Sequence, residues 1–177
     1  MAGIFDGDGA VFDLRERFVF DLTDAPDLEL PKVPKVDLRD ALDIDLLYMA
    51  IGASDALGIG ATPVTNGYVF RIEDALEDGD TNVHLVNVAI PDGTVEMITD
   101  AAQLALQVAP EPDVVTIWVG VNDIVEGVAP EEFEEEFDNL LDELDGSGAT
   151  AAIADIPDLT ELPRFRDNTN TNVTDSR

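Results

Sequence analysis

The sequence predicts a three-layer α/β domain: a doubly wound parallel sheet of about four strands, with helices on both faces. Three observations predict it. Four short apolar runs are each closed by Gly or Pro, as buried parallel strands are. Segments with apolar residues at three- and four-residue spacing lie between those runs. The two patterns alternate along the chain, which favours crossover connections and strands running the same way.

The elements follow in order. Residues 1–40 form an acidic, Pro-punctuated N-terminal arm ahead of the pattern. Val11-Phe12 and Phe18-Val19-Phe20 are apolar patches split by charge, and Pro26, Pro31 and Pro34 exclude a regular helix. An extended conformation is therefore expected over 21–40. The α/β domain is expected over 41–166. Its first strand is 46–51, ending at Gly52. A helix is expected over 62–78 from Val69, Ile72 and Leu76. The second strand, 83–90, ends at Pro91-Asp92-Gly93. A helix over 94–108 follows from Val95, Ile98, Ala102, Leu104 and Val108. The third strand, 114–119, ends at Gly120. A helix over 130–144 carries Phe133, Phe137, Leu140, Leu141 and Leu144. Pro130, Glu131 and Glu132 suit its first turn and its dipole. A weaker fourth strand, 149–156, ends at Pro157. The tail 167–177 is polar and low in complexity, and disorder is expected there. Asn172-Val173-Thr174 matches a glycosylation sequon by chance.

The chain has 177 residues, with 39 Asp and Glu against 9 Lys and Arg, for a net charge of -30. Yet 45% of its residues are hydrophobic, enough for a buried core rather than an acidic disordered chain. Such charge argues against nucleic acid and anionic membranes as partners. Without cysteine there is no disulfide and no thiolate chemistry. A single histidine, His84, excludes multi-histidine metal sites. No apolar stretch approaches the roughly 20 residues of a membrane span. Asp6, Asp8, Asp13 and Glu16 stand where a signal peptide would be basic and then apolar, so a cytoplasmic location is expected. Self-repulsion of this size weakens in molar salt, where the Debye length falls to about 3 Å. A high-salt cytoplasm is the expected setting.

In a doubly wound sheet, ligands bind beyond the carboxyl ends of the strands. The first strand delivers Gly52-Ala53-Ser54-Asp55 there, and the third delivers Gly120-Val121-Asn122-Asp123. A serine after a tight Gly turn exposes its hydroxyl beside backbone N–H groups, which suits a nucleophile. It equally suits a helix N-cap or a phosphate-cradling turn. The amide of Asn122 can face a developing oxyanion, or can close an Asx-turn. Asp123, Asp155 and Asp158 could together hold Mg²⁺ or Ca²⁺, but an acidic surface is the preferred reading, and no metal is assigned. Residues 131–137 read as a solvated acidic face backed by Phe133 and Phe137.

Taken in order, these blocks resemble the SGNH/GDSL hydrolase family of serine esterases and lipases. Residues 48–61, around Gly52-Ala53-Ser54-Asp55, are similar to its first block, and residues 87–95 to its second. Trp118-Val119-Gly120-Val121-Asn122-Asp123 is similar to its third. Residues 156–160 are similar to the segment after its fourth strand. The resemblance implies a flavodoxin-like sheet and an acyl-ester hydrolase without a cofactor, acting on a small-molecule ester. It implies Ser54 as nucleophile, with an oxyanion hole drawn from Ser54, Asp92 or Gly93, and Asn122. Three departures stand out. Ala53 replaces the family's common Asp, and Asp92 falls where the family has glycine. The family's last strand, Asp-x-x-His segment and final helix have no counterpart. The catalytic acid and base are therefore unassigned, and weak or absent turnover is expected. His84 is expected about three residues below the strand end, some 10 Å from the site. The alternative is a non-catalytic small-ligand-binding module, or a remodelled chain, on the same scaffold. The fourth strand is expected to be an edge, through which a homodimer could form.

Overall fold

The computed structural model describes residues 4–5, 11–12, 39–162 and 165. The chain divides into two compact units, Met1–Val33 and Pro34–Arg177. In the first, β1 (Ile4–Phe5) pairs antiparallel with β2 (Val11–Phe12). The expected extended arm, apart from its last two residues, lies outside the described residues, as does the tail 167–177. Arg39 and Asp40 open a short helix, α1 (Arg39–Leu42), in place of the arm's expected extended end.

The second unit holds β3 (Leu46–Gly52), β4 (Val83–Ala89), β5 (Val114–Trp118) and β6 (Thr150–Ile153). All pair in parallel, in the order β4-β3-β5-β6. The crossovers are α2 (Tyr68–Leu76), α3 (Val95–Val108), and the pair α4 (Val121–Glu126) and α5 (Pro130–Asp145). From β3 the chain steps one way to β4, then across β3 to β5. The order therefore reverses between β3 and β5, and a crevice opens above such a switch point.

Both faces of the sheet are covered, which explains the unbroken apolar run of β3. Tyr48 and Ala50 join Val69 of α2 in one core. Met49 and Ile51 join Ile98 and Ala102 of α3, Val115 and Ile117 of β5, and Leu140 and Leu144 of α5 in the other. Each large side chain buried this way contributes roughly 1.5–3 kcal/mol.

Three elements differ from expectation. The helix expected over 62–78 is broken. Val64–Asn66 forms a single 3₁₀ turn, and α2 starts only at Tyr68. Gly67 lies between them, where a Cβ would stand 2.7 Å from the Gly58 Cα. Residues 121–126, expected as a turn, form helix α4. Gly120 at φ 102° and Gly127 at φ 80° bracket it. The fourth strand is shorter than 149–156, and all four of its residues are exposed. Among the described residues it is an edge, as expected. No described helix is long and apolar enough to cross a membrane.

Candidate active site

β3 ends at Gly52, and the chain turns at once. In that turn Gly58 N–H donates to Asp55 O at 2.9 Å, and Ile59 N–H to Ser54 O at 3.0 Å. Ser54 is half-buried at its start. The turn lies tight against the sheet because Gly52 has no side chain. A Cβ there would stand 2.9 Å from the Ala56 Cβ, 3.1 Å from the Trp118 carbonyl and 3.3 Å from the Tyr68 hydroxyl. Gly58 is as constrained: its φ is 77°, and a Cβ would lie 2.2 Å from the Val64 carbonyl.

Hydrogen bonds tie the other strand ends to this turn. Asn87 of β4 donates its amide to the Ala56 carbonyl at 2.8 Å. Ile90 N–H, just past β4, donates to the Gly52 carbonyl at 3.1 Å. Asn122 of α4 donates Nδ2 to the Gly93 carbonyl at 2.8 Å. Val95 N–H, the first of α3, donates to Asp123 Oδ1 at 2.9 Å. The segments carrying Ser54, Asp92-Gly93 and Asn122 thus form one bonded assembly above the switch point.

The second of these segments resolves a choice the sequence leaves open. Asp92 is exposed in a left-handed conformation, φ 57°, and Gly93 is buried behind it. Gly93 N–H is spent on the Ile90 carbonyl at 3.0 Å. Among the described residues, the N–H groups of Ser54 and Asp92 donate to no protein acceptor.

Asp123 has a role that the sequence reading missed. It is 2% exposed, and its carboxylate caps α3, whose own N-cap Thr94 makes no side-chain bond. Burial holds its carboxyl above the ordinary range, against the bonds from Val95, its own N–H and Gly120. Asp155 and Asp158 are exposed and accept from Ile156 N and Thr160 N in local turns. Among the described residues, no group of three His, Asp or Glu side chains is placed to hold a metal.

A polar patch lies on the α2 face below the Ser54 turn. Tyr48 and Thr116 share a hydrogen bond of 2.7 Å. Tyr68 packs edge-on against Trp118, ring centroids 5.3 Å apart. Burial raises the Asp55 carboxyl. Burial, with Asp55 and Tyr48 nearby, pushes the Tyr68 phenol well above the usual phenol range. His84 lies apart from all of this. It is exposed near the amino end of β4, opposite Leu47. From His84 to Ala89 at roughly 3.3 Å per residue is about 16 Å, farther than the 10 Å expected from sequence.

These features define a doubly wound α/β domain with a serine-bearing turn at its topological switch point. The GDSL-like Lipase/Acylhydrolase family matches residues 31–176, and the chain belongs to that family. No curated protein sequence matches the chain. Among solved structures it is similar to TesA, at 21% identity and a TM-score of 0.56, covering 67% of this chain and 66% of that one. It is also similar to AlinE4, an SGNH-hydrolase family esterase, at 21% identity and a TM-score of 0.56, covering 69% and 66%. The psychrotrophic esterase EstA from Pseudoalteromonas sp. is similar at 21% identity and a TM-score of 0.52, covering 74% and 71%. The chain thus spans 66% of the length of TesA and of AlinE4. At these identities the likeness is one of fold, that of the SGNH hydrolases.

Proposed function

We propose that this domain binds small acyl esters at the β3–β5 switch point, with Ser54 as the nucleophile. The observation that carries this reading is the hydrogen-bonded assembly of the three strand-end segments around the Ser54 turn. In the reaction, Ser54 Oγ adds to the ester carbonyl carbon and its proton passes to the departing alcohol. Water then adds to the acyl-serine and releases the acid. The carbonyl oxygen, negative in the intermediate, takes hydrogen bonds from Ser54 N–H, Asp92 N–H and the second Asn122 amide hydrogen. Gly93 contributes its carbonyl, which aims Asn122, rather than its N–H. The exposed Asp92 carboxylate stays in water, away from the developing charge.

The proton step separates activity from binding. Serine attack needs a base within hydrogen-bond reach, and the only imidazole stands about 16 Å down β4. Turnover by this chain alone is therefore weak or absent, and ligand binding without cleavage is the second reading. The net charge of -30 fits a high-salt setting in which that charge is screened.

A fluorophosphonate probe and a short-chain nitrophenyl ester, both in molar salt, test this. Labelling and hydrolysis that disappear in Ser54→Ala support an enzyme. Saturable ester binding without labelling supports the binding module. Hydrolysis that continues unchanged in Ser54→Ala refutes the nucleophile assignment.

A further inference from the structure

β6 is the outlier of the sheet. Its residues Thr150, Ala151, Ala152 and Ile153 carry no charge, and all four are exposed. Thr150 N–H donates to the Asp113 carbonyl at 2.8 Å, and Ala154 N–H to the Ile117 carbonyl at 2.9 Å. Backbone alternation then turns the N–H groups of Ala151 and Ile153 away from β5. No described residue pairs with them. Beside Ala151 lies an apolar pocket of about 260 Å³, lined also by Val115, Leu141, Leu144 and Ala149. An uncharged open edge of this kind is a template for one more strand.

We propose that residues 168–174 of the same chain add to β6 as an antiparallel strand. Reach allows it. Phe165 is buried in one cluster with Leu159 and Ile156, just past the carboxyl end of β6. Residues 166–177 can span up to about 40 Å from there, against about 13 Å for β6. Charge favours it. In a chain of net charge -30, the run Asn-Thr-Asn-Thr-Asn-Val-Thr carries none, so it meets β6 and the acidic α5 without repulsion. The pattern fits it. Thr169, Thr171 and Val173 alternate with Asn170 and Asn172, and β-branched residues at period two favour a pleated strand. Running back from the carboxyl end, Val173 comes last. It is the one apolar residue of the run, and it arrives at the amino end of β6, where the pocket lies. The tail is then a fifth strand rather than the free segment its composition suggests.

The chain has no cysteine, so an introduced pair reports cleanly. Ala152→Cys is combined in turn with a cysteine at each position from 167 to 177, under mild oxidation. The expected result is an intramolecular disulfide concentrated at one or two positions between 169 and 173. Uniform cross-linking along the tail, no cross-linking, or disulfides between two chains overturns the proposal. Amide exchange gives an independent reading that needs no cysteine. Ala151 and Ile153 should exchange at least about tenfold more slowly than open-edge amides, and Thr171→Pro should abolish that protection without touching β3. Fast exchange in the unaltered protein overturns the proposal. So does protection that grows with protein concentration, since a second copy would then occupy the edge.

Discussion

The two ends of the sheet are built on opposite terms. Every residue of β3 after Leu46 is buried, whereas every residue of β6 is exposed. At the carboxyl end of β3, hydrogen bonds from Asn87, Ile90 and Asn122 bind three segments into one unit. Along the outer edge of β6, no described residue makes a backbone bond. Precision is thus concentrated above β3 and β5, and the β6 side can vary without moving the Ser54 turn. Fold stability and site geometry are therefore separable, and substitutions can show where the division falls.

The largest contrast is expected between two leucine-type truncations. Leu140→Ala opens a cavity in the α3–α5 core and should cost about 2–5 kcal/mol in urea unfolding. Ile153→Ala on β6 should cost about 0.5 kcal/mol or less. Equal losses would mean that β6 is covered in solution. Next, Gly58→Ala should cost about 1–3 kcal/mol, because it combines a positive φ with a Cβ 2.2 Å from the Val64 carbonyl. Asn122→Ala should then cost about 1–2 kcal/mol by releasing the Gly93 loop. If the proposed oxyanion site is correct, it should also slow phosphonate labelling by about 100-fold. A loss of stability with full labelling would leave Asn122 a structural residue only.

The smallest expected effect is one of pH. Burial raises the folded-state pKa of Asp55 above its ordinary 3.8. A raised carboxyl pKa means that the folded state holds the proton more tightly than the unfolded chain does. That contribution to stability is present below pH 3.8 and is lost as pH rises through the folded value. Asp55→Asn removes the buried charge, so its melting temperature relative to the parent should rise from pH 3.5 to pH 7. A difference that is flat across this range would show that the Asp55 carboxylate is well solvated.

Sequence made the buried half of this contrast legible and left most of the exposed half obscure. β3 and β5 are long apolar runs stopped by Gly52 and Gly120, and α3 and α5 repeat their apolar residues over several turns. Ser54 and Asn122 could be placed at strand ends because those stops are sharp. Helix α4 has only six residues, too few for a 3.6-residue period to stand out. The capping of α3 by Asp123 joins residues 28 apart and leaves no local pattern. The exposure of β6 was also hidden, because alanine sits as readily in water as in a core. The blocked Gly93 N–H had a faint signal, since Asp-Gly after Pro is a turn sequence whose closing bond consumes an N–H.

One contact has a mechanical consequence. Gly120 leaves room for Ile156, whose Cδ1 would stand 2.5 Å from any Cβ added there. Ile156, Leu159 and Phe165 are thereby clamped onto α4 just beyond β6. Tension applied from the carboxyl-terminal side meets that clamp first. Once it yields, β6 peels from β5 one hydrogen bond at a time, the geometry in which strands resist force least. Under load, the protein would shed its outer strand while the Ser54 turn, Asn122 and the bonds between them remain assembled.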